Sequence, residues 1–176
     1  MKKFTRDSLS ELRAKSVALV VVALAILAVP VLSGDEPERG AGASRLNVIK
    51  TQTPQDLQQL FRYTGEAMHF VSAHRGGPQA GFPENCIATF ESTLEKTFAI
   101  MEIDPRYTKD GAIVVHHDPM LDRTTTGKGL LSDMTLSQLR ELRLKDSDGH
   151  VTDFRISTLD EVLQWARGRT ILVLDQ

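Results

Sequence analysis

Residues 99–118 read AIMEIDPRYTKDGAIVVHHD, and this stretch decides the fold class. It opens as a short apolar strand that carries Glu102 and Asp104, two residues apart and therefore on the same face of the strand. Asp110-Gly111 is a hairpin signal, and a β-branched run at 113–115 follows it. The stretch therefore predicts paired strands with acidic side chains gathered at one end.

The hairpin also predicts which histidine joins these carboxylates. If Asp110-Gly111 is a two-residue loop, Lys109 pairs with Ala112. Counting back along both strands from that pair places Asp104 opposite His117, on the acidic face. A bulge at Pro105 would shift the register by one residue and bring in His116 instead. The sequence leaves both registers open, with the first favoured.

The flanking residues alternate between strand and helix patterns. In chain order we predict a strand at 69–73, a helix at 87–98, the hairpin, helices at 135–144 and 158–166, and a strand at 171–174. The order β-α-β-β-α-α-β is typical of an α/β domain.

Side chains suited to phosphodiester cleavage follow these strands. That reaction needs charge neutralisation at the phosphoryl oxygens, a base for the attacking hydroxyl and an acid for the leaving alkoxide. His74 and His117 exchange protons near neutral pH, and Arg75 can bind a phosphate oxygen. Glu102 and Asp104 form a hard-oxygen site for Ca²⁺ or Mg²⁺.

Five ordered motifs resemble the linear signature of the glycerophosphodiester phosphodiesterase family. They are HRGG at 74–77, PEN at 83–85, EID at 102–104, TKDG at 108–111, and HDP at 117–119 with LDRTT at 121–125. Residues 158–163 (TLDEVL) also resemble the next helix of that family, so the match runs from about residue 71 to the end of the chain.

The resemblance implies a fold and an activity. The family is similar in fold to a (β/α)₈ barrel with its site at the C-terminal ends of the strands. The resemblance implies metal-dependent hydrolysis of glycerophosphodiesters to sn-glycerol 3-phosphate and an alcohol. His74 and His117 would be the acid/base pair, Arg75 would bind the phosphate, and Glu102 and Asp104 would hold the divalent ion.

The resemblance also implies supporting residues. The third metal ligand of the family is usually a Glu that ends the next strand, two residues before a Lys. Asp175 occupies that place here with a shorter side chain, and the Lys position lies one residue beyond Gln176. Glu84 and Asp118 are expected to orient the loop and the histidine.

The N-terminal residues predict a membrane-engaging segment. Residues 16–33 read SVALVVVALAILAVPVLS, an uncharged run that follows a basic segment at 1–15. We interpret 1–15 as cytoplasmic and 16–33 as a transmembrane anchor or a signal peptide, both of which its length permits. Residues 34–50 read as a linker and 51–68 as a packing helix before a partial phosphodiesterase domain at 69–176. We expect that domain to be extracytoplasmic, either membrane-anchored or exported.

Composition sets limits on these interpretations. The formal net charge of −2 among 176 residues argues against a nucleic-acid partner, which requires a clustered basic surface. Cys86 is the single cysteine, so it forms no internal disulfide. A (β/α)₈ barrel takes about 250 residues, so we expect the chain to be truncated, with one sheet edge exposed.

Two other functions remain as alternatives. A membrane anchor would hold the site near intact or lyso-lipids, which would suit a phospholipase C- or D-like phosphodiesterase. A chain without the second half of its barrel could instead be a non-catalytic, membrane-tethered phosphate-binding protein.

Overall fold

The computed structural model describes residues 46–65 and 69–175. The predicted segments at 1–15 and 16–33 lie outside these residues, as does most of the predicted linker. Within the described ranges, no helix has the length and apolar character needed to cross a membrane.

The described part of the chain alternates strands and helices, as an α/β fold requires. In chain order its elements are α1 (Pro54–Leu60), β1 (Val71–Ala73), α2 (Ile87–Lys96), β2 (Ala99–Ile103), β3 (Pro105–Tyr107), β4 (Ile113–Val115), α3 (Leu136–Arg140), α4 (Leu159–Ala166) and β5 (Leu172–Leu174). Single 3₁₀ turns lie at His74–Gly76 and Leu131–Asp133. The predicted α/β class is therefore confirmed.

A parallel sheet with the strand order β1-β2-β5 forms the centre of the fold. Val71 lies opposite Ala99 on one side of β2, and Met101 lies opposite Leu172 on the other. Because all three strands are parallel, their carboxyl ends meet at one edge of the sheet. Residues that follow β1, β2 and β5 are brought together there.

Two apolar clusters hold the elements in place. In the first, Phe90 of α2 and Trp165 of α4 pack with Met101 and Ile103 of β2, and the two aromatic rings lie 5.4 Å apart. The second cluster lies beside the β3-β4 hairpin and contains Val114, Leu121, Leu131, Leu139, Leu144 and Ile156. The α4 helix begins at a capping box, in which Thr158 and Glu161 satisfy each other's backbone amides.

The hairpin loop contains three residues, so the predicted two-residue loop is wrong. Thr108 donates its backbone N–H to Ala112 at 2.9 Å, and Gly111 adopts a left-handed φ of 81°. This is the geometry of a turn followed by a G1 bulge. His116, not His117, therefore lies opposite Asp104 and donates its backbone N–H to Asp104 O at 2.8 Å.

Contacts from outside the hairpin explain the longer loop. Lys109 donates its backbone N–H to Met134, and the Asp110 carboxylate accepts from the amide of Leu136. Both bonds hold the loop against the start of α3. The backbone N–H of Lys109 therefore does not pair with the opposite strand of the hairpin. The one-residue shift thus arises at the turn and not at Pro105.

Candidate active site

The carboxyl edge of the parallel sheet gathers three acidic side chains. Glu102, Asp104 and Asp175 each offer a carboxylate oxygen, and these oxygens all lie within 4.8 Å of one another. Asp104 is buried, with only 6% of its surface exposed. Carboxylates this close repel one another unless a cation lies between them, and hard oxygen donors suit Ca²⁺ or Mg²⁺. The donor set therefore fits a divalent ion.

Asn85 holds the buried member of this cluster, a role that the sequence analysis missed. Its side-chain amide donates to Oδ2 of Asp104 at 2.7 Å, and its side-chain carbonyl accepts from the backbone N–H of Asp104. Asn85 is itself buried and lies in the left-handed region at φ 55°. Two features of the sequence could have indicated this role. They are the place of Asn85 in the PEN motif and the tolerance of Asn for the left-handed region.

The two predicted histidines both lie at this edge. Nε2 of His74 is 3.9 Å from Oε1 of Glu102. Nδ1 of His117 donates to Oδ1 of Asp118 at 2.6 Å, because an ionised carboxylate can only accept. That bond leaves Nε2 of His117 as the nitrogen that can exchange a proton with a substrate.

His116 takes a different position from His117. Its ring is buried, with Nδ1 donating to the carbonyl of Asp118 and Nε2 bonded to the hydroxyl of Thr124. Burial lowers the pKa of His116, which favours the neutral ring that these two bonds require. The shifted register therefore places the backbone of His116 against Asp104 and leaves His117 to face the site.

Arg75 lies in a network of alternating charges. Its Nη1 is 3.2 Å from Oε2 of Glu84, and its Nε is buried without a hydrogen-bond partner among the described residues. Burial alone would raise the pKa of Glu84, but the contacts with Arg123 and Arg75 outweigh it and leave that pKa below its usual value. The hydrogen bond from Arg123, aided by that from His117, holds the pKa of Asp118 well below its usual range. The predicted supporting residues Glu84 and Asp118 thus each contact one predicted site residue.

The turn after β1 has a demanding backbone geometry. Arg75 adopts φ 51°, and its carbonyl accepts the backbone N–H of Asn85 at 2.9 Å. Left-handed residues other than Gly cost about 1–3 kcal/mol each. Gly76 has φ 83°, and a Cβ at that position would lie 2.2 Å from the ring of Phe90. The HRGG motif therefore needs glycine because α2 passes directly against the turn.

A cavity of about 430 Å³ opens beside the acidic cluster. Its wall contains Asp104, His117 and Asp175 together with Arg106, Tyr107, Pro119 and Leu131. Arg106 donates from Nε to the backbone carbonyl of His117 at 2.6 Å, which fixes the chain at that histidine. The sequence predicted no role for Arg106, and it named Arg123 only as part of the LDRTT motif, because the bonds of both residues depend on the tertiary fold.

Comparisons with known proteins single out one family. The model of the "Glycerophosphoryl diester phosphodiesterase family" matches residues 74–174. A Mycobacterium tuberculosis protein named "Probable glycerophosphodiester phosphodiesterase 1" is 45% identical over an alignment of 114 residues that covers 59% of this chain and 41% of the relative. A "Glycerophosphodiester phosphodiesterase" of Caldanaerobacter subterraneus is 39% identical over 104 residues, covering 58% of this chain and 42% of the relative.

A solved structure has the same fold over most of the described residues. The crystal structure of a glycerophosphoryl diester phosphodiesterase from Parabacteroides distasonis superposes with a TM-score of 0.73 at 46% sequence identity. The match covers 75% of this chain and 46% of that one. The chain thus spans less than half the length of the relatives that it matches.

Proposed function

Because the chain belongs to the glycerophosphoryl diester phosphodiesterase family, we propose that it carries the acid/base and metal-binding part of an enzyme that hydrolyses glycerophosphodiesters. The products would be sn-glycerol 3-phosphate and an alcohol. The observation that carries this proposal is the meeting of two histidines and three carboxylates at the carboxyl edge of the sheet.

The acidic cluster would hold one divalent ion. Glu102, Asp104 and Asp175 supply the oxygen donors that Ca²⁺ and Mg²⁺ prefer, and Asn85 fixes the orientation of Asp104. When bound, the ion would neutralise negative charge on the phosphoryl oxygens. The low accessibility of Asp104 supports this role, because a buried carboxylate needs a compensating cation.

The protein side chains would move the protons. His74 and His117 would serve as the acid/base pair. One would accept a proton from the water that attacks phosphorus, and the other would protonate the alkoxide as its bond to phosphorus breaks. Asp118 keeps the Nδ1 proton of His117 in place, so that its Nε2 performs the transfer. Arg75 would bind a phosphate oxygen through its guanidinium.

Turnover by the full-length protein tests the proposal. We expect release of sn-glycerol 3-phosphate from glycerophosphocholine in the presence of Ca²⁺ or Mg²⁺, and none after chelation. Glu102→Gln should abolish turnover, whereas Asp148→Asn, which alters an exposed carboxylate of a separate acidic group, should not. Turnover that survives chelation, or its absence with either ion, would contradict the proposal.

The same assay separates the alternatives. Products from a lysophospholipid would indicate a phospholipase C- or D-like activity, and binding of glycerol 3-phosphate without turnover would indicate a binding protein.

We also propose that the domain works outside the cytoplasm, anchored or exported by residues 16–33. The apolar composition of that run and the basic residues before it support this proposal. Cell fractionation tests it, since deletion of residues 16–33 should move the protein from the membrane or exported fraction to the cytoplasm. An unchanged distribution would contradict it.

A further inference from the structure

The guanidinium of Arg123 connects the acceptor of His117 with the acceptor of Arg75. Arg123 donates from Nε and Nη2 to Asp118 at 2.7 and 2.9 Å, and from Nη1 and Nη2 to Glu84 at 2.8 Å each. Asp118 accepts from Nδ1 of His117 at 2.6 Å, and Glu84 accepts from Nη1 of Arg75 at 3.2 Å. A continuous chain of hydrogen bonds therefore runs from His117 to Arg75 through Arg123.

The guanidinium is the central member of this chain. The side chains of Glu84 and Asp118 are only 12% and 22% exposed, and both are bound by the same cation. Removal of Arg123 would leave two neighbouring carboxylates to repel each other. The planar fork of arginine fixes the direction of both carboxylates, which the single ammonium of a lysine cannot do.

We propose that Arg123 is a positioning residue that orients His117 through Asp118 and Arg75 through Glu84. The proposal rests on the proposed function, in which His117 transfers a proton and Arg75 binds the phosphate. With Asp118 fixed as an acceptor, His117 keeps its proton on Nδ1 and offers Nε2 to the substrate. With Glu84 fixed, the guanidinium of Arg75 is oriented before substrate arrives, which lowers the cost of reaching the reactive geometry.

The charge state of the network agrees with this role. The hydrogen bonds from Arg123 lower the pKa of Asp118, so this carboxylate is ionised and purely an acceptor at neutral pH. The bonds to Glu84 and Asp118 in turn raise the pKa of Arg123, which keeps the cation charged.

Kinetics of three variants of the full-length protein test the proposal. We expect Arg123→Met to lower kcat by about 10- to 100-fold, the usual effect of losing a residue that orients a site group. KM should rise as well, because Arg75 loses its fixed partner. Arg123→Lys should recover part of kcat. Arg143→Met is the matched control, since Arg143 pairs with Asp153 on the surface, and its kinetic constants should stay within about twofold of wild type.

Nitrogen-15 NMR of the His117 ring provides a readout that requires no turnover. The wild-type protein should show the proton on Nδ1, and Arg123→Met should show a mixture of the two tautomers. Unchanged His117 signals in Arg123→Met would overturn the proposal, whether or not activity falls, as would a kcat within about twofold of wild type. If Arg123→Met does not fold, Arg123→Lys is read against the same two criteria.

This design separates the two proposals. A wild-type protein without turnover rejects the phosphodiesterase, while the His117 tautomer still decides whether Arg123 positions the ring.

Discussion

The amide of Asn85 makes two hydrogen bonds to Asp104, one to the carboxylate and one to the backbone. Asn85 also holds a left-handed backbone conformation, which Asn tolerates better than most residues. The positive φ turns the side chain of Asn85 toward β2, while its backbone N–H donates to the carbonyl of Arg75. A single residue thus links the turn after β1 to the candidate metal site.

Replacement of Asn85 should therefore affect both stability and metal binding. We expect Asn85→Ala to lower the free energy of unfolding by about 2–4 kcal/mol, because a buried N–H and a buried carboxylate each lose a partner. The affinity for Ca²⁺ or Mg²⁺ should fall by about 10- to 100-fold. Chemical denaturation and metal titration measure the two effects.

Asn47 offers the control for that experiment. Its side-chain amide also donates to a backbone carbonyl, that of Leu94, but Asn47 has no bond to a member of the acidic cluster among the described residues. Asn47→Ala should cost about 1 kcal/mol and leave metal affinity unchanged. Equal metal affinity in the Asn85 and Asn47 variants would rule out the positioning role of Asn85.

At the scale of elements, the turn after β1 is defined by its contact with α2. We expect Gly76→Ala to destabilise the protein by about 2–5 kcal/mol, the sum of an unfavourable left-handed alanine and a clash with Phe90. Gly111→Ala has a similar φ but no atom within 4 Å of its new Cβ, so it should cost only about 1–2 kcal/mol. Urea denaturation compares the two variants, and equal losses would show that the close approach of α2 does not require glycine.

The charge network that connects the loops should make stability depend on pH. The folded state lowers the pKa of Glu84 and of Asp118, so their contribution to stability is complete above their unfolded pKa values of about 4 and is lost as pH falls below them. Urea midpoints measured between pH 6 and pH 3 should fall over that window. Arg123→Met should show a shallower fall, because the cation that lowers both pKa values is gone. An identical pH dependence in the two proteins would contradict the network.

Helices and strands were predictable where local chemistry decides them. The capping box at Thr158 marks the start of α4, and the apolar run before Glu102 marks β2. The hairpin register was not predictable, because the loop is held by Met134 and Leu136 more than 20 residues further along the chain. Arg123 escaped prediction for the same reason, since its partner Glu84 lies 39 residues away.

The candidate site is assembled from the ends of three parallel strands and one hairpin. The meeting of His74 with the three acidic residues was predictable because strand ends of a parallel sheet meet at one edge, whereas His117 follows the separate β3-β4 hairpin. The sequence favoured His117 over His116 on a hairpin register that is wrong, and the structure supports the same choice because both nitrogens of the His116 ring are already bonded.

Metal binding should stabilise the whole fold. A ligand that binds only the folded state adds about 2.7 kcal/mol at a concentration 100-fold above its dissociation constant. We therefore expect Ca²⁺ or Mg²⁺ to raise the melting temperature of the full-length protein. Glu102→Gln should remove most of that rise, while Asp148→Asn should keep it. A melting temperature that does not respond to either ion would contradict the assignment of the acidic cluster.

In the parallel sheet β5 pairs directly with β2, although the hairpin and two helices lie between them in the sequence. The chain leaves this sheet after β2 and returns to it at the neighbouring strand β5. The segment in between contains Tyr107, Pro119 and Leu131 of the cavity wall. Substitutions at exposed positions of that segment leave the backbone pairing of β2 with β5 in place, whereas many of its buried residues belong to the two apolar clusters. Exposed parts of the cavity wall can therefore change while the strand ends that carry the acidic groups keep their register.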